Sequence, residues 1–165
     1  MAEWGGRRVL VTGGEGFIGS HLVDRLLAAG AEVRALVHYN PVGRWGWLDG
    51  READVEIVPG DVRDEDRVLH ACGDREVVFH LAALIGIPYS YEAPESYVQT
   101  NVVGTYNVLS ACRRAGVERL AQTSTSEVYG TALKVPIDES HPLQPQSPYA
   151  ASKIGADMLA LSFHR

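Results

Sequence analysis

A chain of 165 residues, 45% apolar and 22% charged, is long enough for one domain with a real core and too short for two of ordinary size. Its net charge of −6, with lysine and arginine scattered, excludes the basic stripe that a nucleic-acid backbone demands, and no apolar run approaches a membrane-spanning length. A cytoplasmic protein is expected, with neither nucleic acid nor membrane as partner. Cys72 and Cys112 form no motif with each other or with histidine, and the six histidines show no ligand spacing. Buried thiols in a reducing compartment are therefore expected, with no metal site.

In chain order, the apolar run at 8–12 reads as a strand and leads into Thr12-Gly-Gly-Glu-Gly-Phe-Ile-Gly19, directly before a helix expected over 16–29. A strand that turns sharply into a helix against a pyrophosphate needs glycine where the chain turns (Gly13), where backbone approaches phosphate (Gly16), and where helix packs on strand (Gly19). The helix N-terminus, with Phe17 and Ile18 in its first turn, offers free N–H groups to the anion. Further strands are expected at 32–37, 55–59, 77–80 and 119–123, with helices over 65–72, 94–115 and from 147 onward. Strands and helices alternating in this way predict an α/β fold: a doubly wound parallel sheet of order 3-2-1-4-5 with helices on both faces. Ligands bind such sheets at the carboxyl ends of the strands. The fifth strand would be left as an uncovered edge.

Two polar constellations fall at those ends. Tyr149-Ala-Ala-Ser-Lys153 opens the last helix, and a spacing of four puts the phenol and the ammonium on one face. A phenol is a weak base at neutral pH, but a neighbouring ammonium and a cationic nicotinamide both favour the phenolate, which can then take a proton from an alcohol or sugar hydroxyl. Thr123-Ser-Thr-Ser-Glu-Val-Tyr-Gly130 follows the fifth strand. There Thr125 can donate a hydrogen bond to the same substrate oxygen, and Glu127 can act as a separate base. Pro136 to Pro148 reads as a proline-rich ordered loop over the cofactor.

Together TGGEGFIGSHL (12–22), GDVRD (60–64), HLAAL (80–84), NVVGTYNVL (101–109), TSTSEVYG (123–130) and SPYAASK (147–153) resemble the extended short-chain dehydrogenases of the NAD-dependent epimerase/dehydratase family, most nearly its nucleotide-sugar 4,6-dehydratases. NPVGRWGWL (40–48) and LIGIPYSY (84–91) resemble the bacterial members that act on nucleotide-linked N-acetylglucosamine. The resemblance implies a Rossmann-like domain holding tightly bound NAD or NADP, and a nucleotide-sugar substrate. It implies catalytic roles for Thr125, Ser126, Glu127, Tyr149 and Lys153. Many dTDP-glucose dehydratases carry aspartate where this chain has Ser126, whereas the Ser-Glu pair resembles GDP-mannose dehydratases, so Glu127 is expected to serve both the proton abstraction and the loss of water. Asp61 and Val62 would flank the adenine, although Asp61 also reads as a helix cap. Leu81, Ala82 and Ala83 would pass beneath ribose and pyrophosphate, Thr123, Tyr149 and Lys153 would meet the nicotinamide side, and Ile85 and Tyr89 would touch substrate.

NAD-specific members place an acid at the end of the second strand, where this chain has Val37 and His38. His38, Asn40 and Arg44 could instead meet a 2′-phosphate, which leans the expectation towards NADP. Relatives pair the helices over 94–115 and 147–165 into a homodimer, through Tyr97, Val98, Val102, Tyr106 and Leu109 on one and Ile154, Met158, Leu159 and Leu161 on the other. Family members run to about twice this length, so the expected region is an incomplete NAD(P)-binding domain over 1–165 without the substrate lobe, and inactive as a piece. The alternatives are a nucleotide-sugar 4-epimerase or a dinucleotide-binding module without turnover.

Overall fold

The computed structural model describes residues 4–164. The chain divides into two compact units, the first made of Met1–Ala82 and Asn107–Thr123, the second of Ala83–Tyr106 and Ser124–Arg165.

The first unit is built on five parallel strands, β1 (Arg8–Thr12), β2 (Glu32–His38), β3 (Glu56–Gly60), β4 (Val77–His80) and β5 (Arg119–Gln122), in the order β3-β2-β1-β4-β5. This is the expected doubly wound arrangement, with β5 at one edge. Because side chains alternate along a strand, β1 sends Val9 and Val11 to one face and Leu10 to the other. On the first face, Val33, Ala35 and Val37 of β2 join Val23 and Leu26 of α1 (Phe17–Ala28). On the second, Leu36, Val58 and Val78 pack with Val68, Ala71 and Cys72 of α2 (Glu65–Cys72) and with Val108, Ala111 and Cys112. Both cysteines are buried and free. Burial on both faces explains why these strands read as continuous apolar runs rather than as an alternation.

Among the buried polar residues is Arg34, whose guanidinium donates to the carbonyls of Ala71 and Gly73 at 2.9 and 2.8 Å. It thereby satisfies carbonyls at the end of α2 that have no partner within the helix. At the start of α2 the capping oxygen belongs to Asp64, which accepts from the Arg67 amide at 3.0 Å. Asp61 is therefore not the cap. Truncating Leu10, fully buried between neighbours on both sides of β1, should cost about 2–5 kcal/mol. Urea denaturation of Leu10→Ala against the unmodified chain measures this.

The second unit is helical. It holds α3 (Ile87–Glu92), α4 (Pro94–Tyr97), a π-helical stretch over Val98–Val103, the opening of α5 (Gly104–Ala115) and α6 (Pro148–Phe163). The helix expected over 94–115 is present, with a π-helical stretch between α4 and α5, and α3 lies outside the helices expected. Pro88 and Pro94 sit in the first turns of α3 and α4, where a missing N–H costs nothing. Ser147 starts α6 by accepting from the Ala150 amide at 3.0 Å. Among the described residues no helix is long and apolar enough to cross a membrane.

Candidate active site

In the first unit the glycine turn is shaped by close contacts. Gly13 has φ of +70°, donates its amide to the Leu36 carbonyl at 2.9 Å, and a Cβ there would lie 2.9 Å from the Ala82 amide nitrogen. At Gly19 a Cβ would run into the Gly13 carbonyl and come within 2.9 Å of the Gly14 Cα. Gly16 is different: its nearest atom is the Gly13 oxygen at 3.4 Å, so local packing tolerates a side chain there. Thr12 closes the cradle by accepting from the amides of Leu81 and Ala82 at 3.2 and 3.1 Å. With both lone pairs so used, its hydroxyl proton goes to His80 Nδ1 at 2.7 Å, which places the His80 proton on Nε2.

Phe17 and Ile18 expose their side chains, so their contribution to an anion is the N–H groups of the first turn of α1. Glycines whose space a side chain would fill, followed by a twelve-residue helix with open amides, fit a pyrophosphate. The end of β2, where the strand itself carries no acid, is not without a carboxylate. Glu15, in the glycine turn itself, accepts the His38 amide on Oε1 at 2.7 Å, while its Oε2 is buried without a hydrogen-bond partner. A carboxylate therefore does stand at the end of β2. It comes from the turn rather than from the strand.

The groups expected to meet a 2′-phosphate each make a local contact. Arg44 Nε donates to Asp49 at 2.6 Å, and the Asn40 side chain accepts from the Val42 amide at 2.9 Å. His38 Nε2 lies 3.7 Å from Asp61, whose carboxyl the Arg63 guanidinium holds below the usual carboxylate range. Val62 turns its side chain into the core and offers its carbonyl to Asn107 at 3.0 Å. Leu81 and Ala82 follow β4, and the Thr123 amide bonds the His80 carbonyl at 3.1 Å. Ala83 opens the second unit.

In the second unit the first turn of α6 presents Tyr149, with Lys153 one turn on; they are 7% and 5% exposed. The edge of one ring meets the other where Tyr97 packs on Tyr149, their centroids 6.3 Å apart, and Tyr97 is itself pinned by donating its hydroxyl to the Gly86 carbonyl at 2.5 Å. Burial pushes the Tyr97 phenol up, so it remains a donor across the range in which enzymes work. Tyr89 also packs at a tilt against Tyr97 and is half exposed; Ile85 is largely exposed. Both are available to a ligand.

A short 3₁₀ turn over Ser126–Tyr129 carries the second constellation. Thr125 Oγ1 accepts the Glu127 amide at 3.3 Å, which leaves its hydroxyl proton to donate outward. Ser126 and Glu127 are exposed. The next layer was not legible in the sequence. Asn101, 2% exposed within the π-helical stretch, accepts from the Leu84 amide at 2.8 Å and donates to the Leu84 carbonyl and to Ser152 Oγ, both at 2.9 Å. Ser152 donates in turn to the Tyr149 carbonyl at 2.7 Å. Asn101→Ala would strand the Leu84 polar groups, at about 1–3 kcal/mol for each one left buried and unpaired. The denaturant midpoint of Asn101→Ala should fall accordingly below that of the unmodified chain.

A strand, glycine turn and helix shaped for a dinucleotide, together with a Tyr-x-x-x-Lys helix, define the short-chain dehydrogenase class. The chain belongs to the GDP-mannose 4,6-dehydratase family, whose family model matches residues 10–165. It is 38% identical over 167 residues to the dTDP-glucose 4,6-dehydratase of Actinoplanes sp., covering 96% of this chain and 52% of the relative. It is 43% identical over 155 residues to the UDP-glucose 4-epimerase of Mycolicibacterium smegmatis, covering 92% and 49%. Among solved structures, a double mutant of DesIV, the dTDP-glucose 4,6-dehydratase of Streptomyces venezuelae, with NAD bound, superimposes with a TM-score of 0.88 at 38% identity, covering 96% of this chain and 52% of that one. The chain thus spans about half the length of the relatives it matches.

Proposed function

We propose that this chain is the dinucleotide-binding half of a nucleotide-sugar 4,6-dehydratase. The observation that carries the reading is the turn at 125–127: a hydroxyl free to donate with a carboxylate two residues on, in the same compact unit as Tyr149 and Lys153. When bound, the nicotinamide supplies the hydride acceptor and donor. Tyr149 takes the proton of the sugar 4-hydroxyl as hydride leaves carbon 4, and Thr125 donates to that oxygen. The resulting ketone makes the proton at carbon 5 acidic, and Glu127 removes it. The 6-hydroxyl departs as water, taking a proton from Glu127, since Ser126 has no acidic proton to give. With the hydride supplied back at carbon 6 by the cofactor and a proton drawn from solvent at carbon 5, the product would be a 4-keto-6-deoxy sugar.

A second reading, 4-epimerisation, is supported by the epimerase among the relatives. It uses Tyr149 and Lys153 in the same way and has no task for Glu127. Removing the carboxylate separates the two: in the whole enzyme Glu127→Gln should leave oxidation at carbon 4 intact and abolish loss of water.

The cofactor is read as NAD. The solved relative holds NAD, and here the Glu15 carboxylate suits the two ribose hydroxyls and repels a 2′-phosphate, while Arg44 is paired with Asp49. Calorimetric titration should show NAD binding about tenfold or more tighter than NADP, with Glu15→Gln narrowing the gap. Equal affinities, unchanged by that substitution, would instead return the lean to the 2′-phosphate groups first considered. Assembly as a homodimer is part of the same reading, but through fewer side chains than expected. Tyr97 and Leu109 are buried within the chain, whereas Val98, Tyr106, Met158 and Leu161 remain exposed and available.

A further inference from the structure

Asp157 is absent from every role assigned so far. It lies on α6 one turn beyond Lys153, which itself lies one turn beyond Tyr149, so the three share a helix face. Its Oδ2 accepts a short hydrogen bond from the Ser124 hydroxyl, and Ser124 directly precedes Thr125. With Ser124, Thr125 and Ser126 it lines an open groove that Met158 and Leu161 continue along α6. We propose that Asp157 is a positioning residue for the catalytic groups: through Ser124 it moors the 124–127 turn to α6, and as the carboxylate next along the helix it keeps the buried Lys153 ammonium charged. The proposal rests on the reading of Tyr149 and Lys153 as the working pair.

The electrostatic half follows from burial. An ammonium that is 5% exposed has lost most of its water, and that desolvation lowers its proton affinity; the Asp157 charge acts in the opposite direction. Asp157 is pushed up by its own burial and pulled back first by the Ser124 hydrogen bond, then by Lys153. Ser124 therefore helps to keep Asp157 ionised, and Asp157 helps to keep Lys153 protonated. The elements packed on α6 bring other titratable groups: Tyr89, Tyr91 and Glu92 on α3, Glu95 and Tyr97 on α4, Glu127 and Tyr129 on the 3₁₀ turn, with Glu139 and His141 along the groove. The π-helical stretch contributes none. Asp157 is the carboxylate that α6 itself sets one turn from the ammonium.

The sequence makes this directly measurable, because Lys134 is its other lysine, and Lys134 is half exposed and paired with Asp138. In the chain labelled with ¹³C at the lysine ε-carbon, two resonances can be titrated side by side. In the unmodified chain the Lys153 signal should show a second inflection at acid pH, as Asp157 takes its proton. In Asp157→Asn, which retains an acceptor for Ser124, the Lys153 midpoint should move to lower pH while Lys134 stays. Ser124→Ala should move it the same way by less, and Asp157→Glu should restore it. A folded chain with no acid inflection, or a Lys153 midpoint indifferent to Asp157→Asn, overturns the proposal, and the first of these needs no substitution. The titration requires no turnover, so loss of the dehydratase reading and loss of this one are distinguishable.

Discussion

Gly19→Ala is expected to abolish dinucleotide binding and to destabilise the chain by about 1–3 kcal/mol or more. The added carbon has nowhere to go, since it would meet the Gly13 carbonyl and the Gly14 Cα, which is backbone that cannot rotate aside. Relief requires the glycine turn to open, and the turn is the phosphate cradle. Gly16→Ala is the informative partner, because packing around Gly16 leaves room for a methyl group. That variant should keep its denaturant midpoint and still lose cofactor affinity, the obstruction being to the ligand alone. Calorimetry and urea denaturation on the pair check both statements. Gly19→Ala binding NAD as the unmodified chain does would show that the turn is not the site.

Tyr149→Phe in the whole enzyme should lower kcat by about 10²–10⁴-fold, the range of a general base placed on the reacting proton. Its ring is held by the edge of Tyr97 and its backbone by Ser152, so phenylalanine should occupy the same place without its hydroxyl. Stability and KM for the sugar nucleotide should therefore change little. A drop confined to KM would make Tyr149 a binding residue. Lys153→Met should reduce kcat comparably by withdrawing the charge that favours the phenolate.

Local signals account for what the sequence revealed and for what it hid. β1 and β4 begin and end where expected because apolar runs in adjacent residues mark them, and α2 covers the expected residues although its cap is Asp64 rather than Asp61. The catalytic pair is legible for the same reason: Tyr149 and Lys153 are brought together by one helix. The π-helical stretch at Val98–Val103 is not, since its residues carry ordinary helical signals, and the hydrogen bonds of its Asn101 go to Leu84, seventeen positions away. Glu15 was overlooked at the end of β2 because its partner, His38, is remote in sequence, and an argument confined to the strand finds no acid. Ser124 and Asp157 are likewise joined only by the fold. α3 is a different case: Pro88 directly after Ile87 was a start signal within reach.

The most direct test of the central claim is to incubate the whole enzyme with NAD and, separately, dTDP-, UDP- and GDP-linked hexoses, and to weigh the sugar nucleotides. The account predicts that at least one loses a single water to give a 4-keto-6-deoxy product, and that Glu127→Gln prevents the loss. An unchanged mass with every substrate, accompanied by inversion at carbon 4, would contradict it.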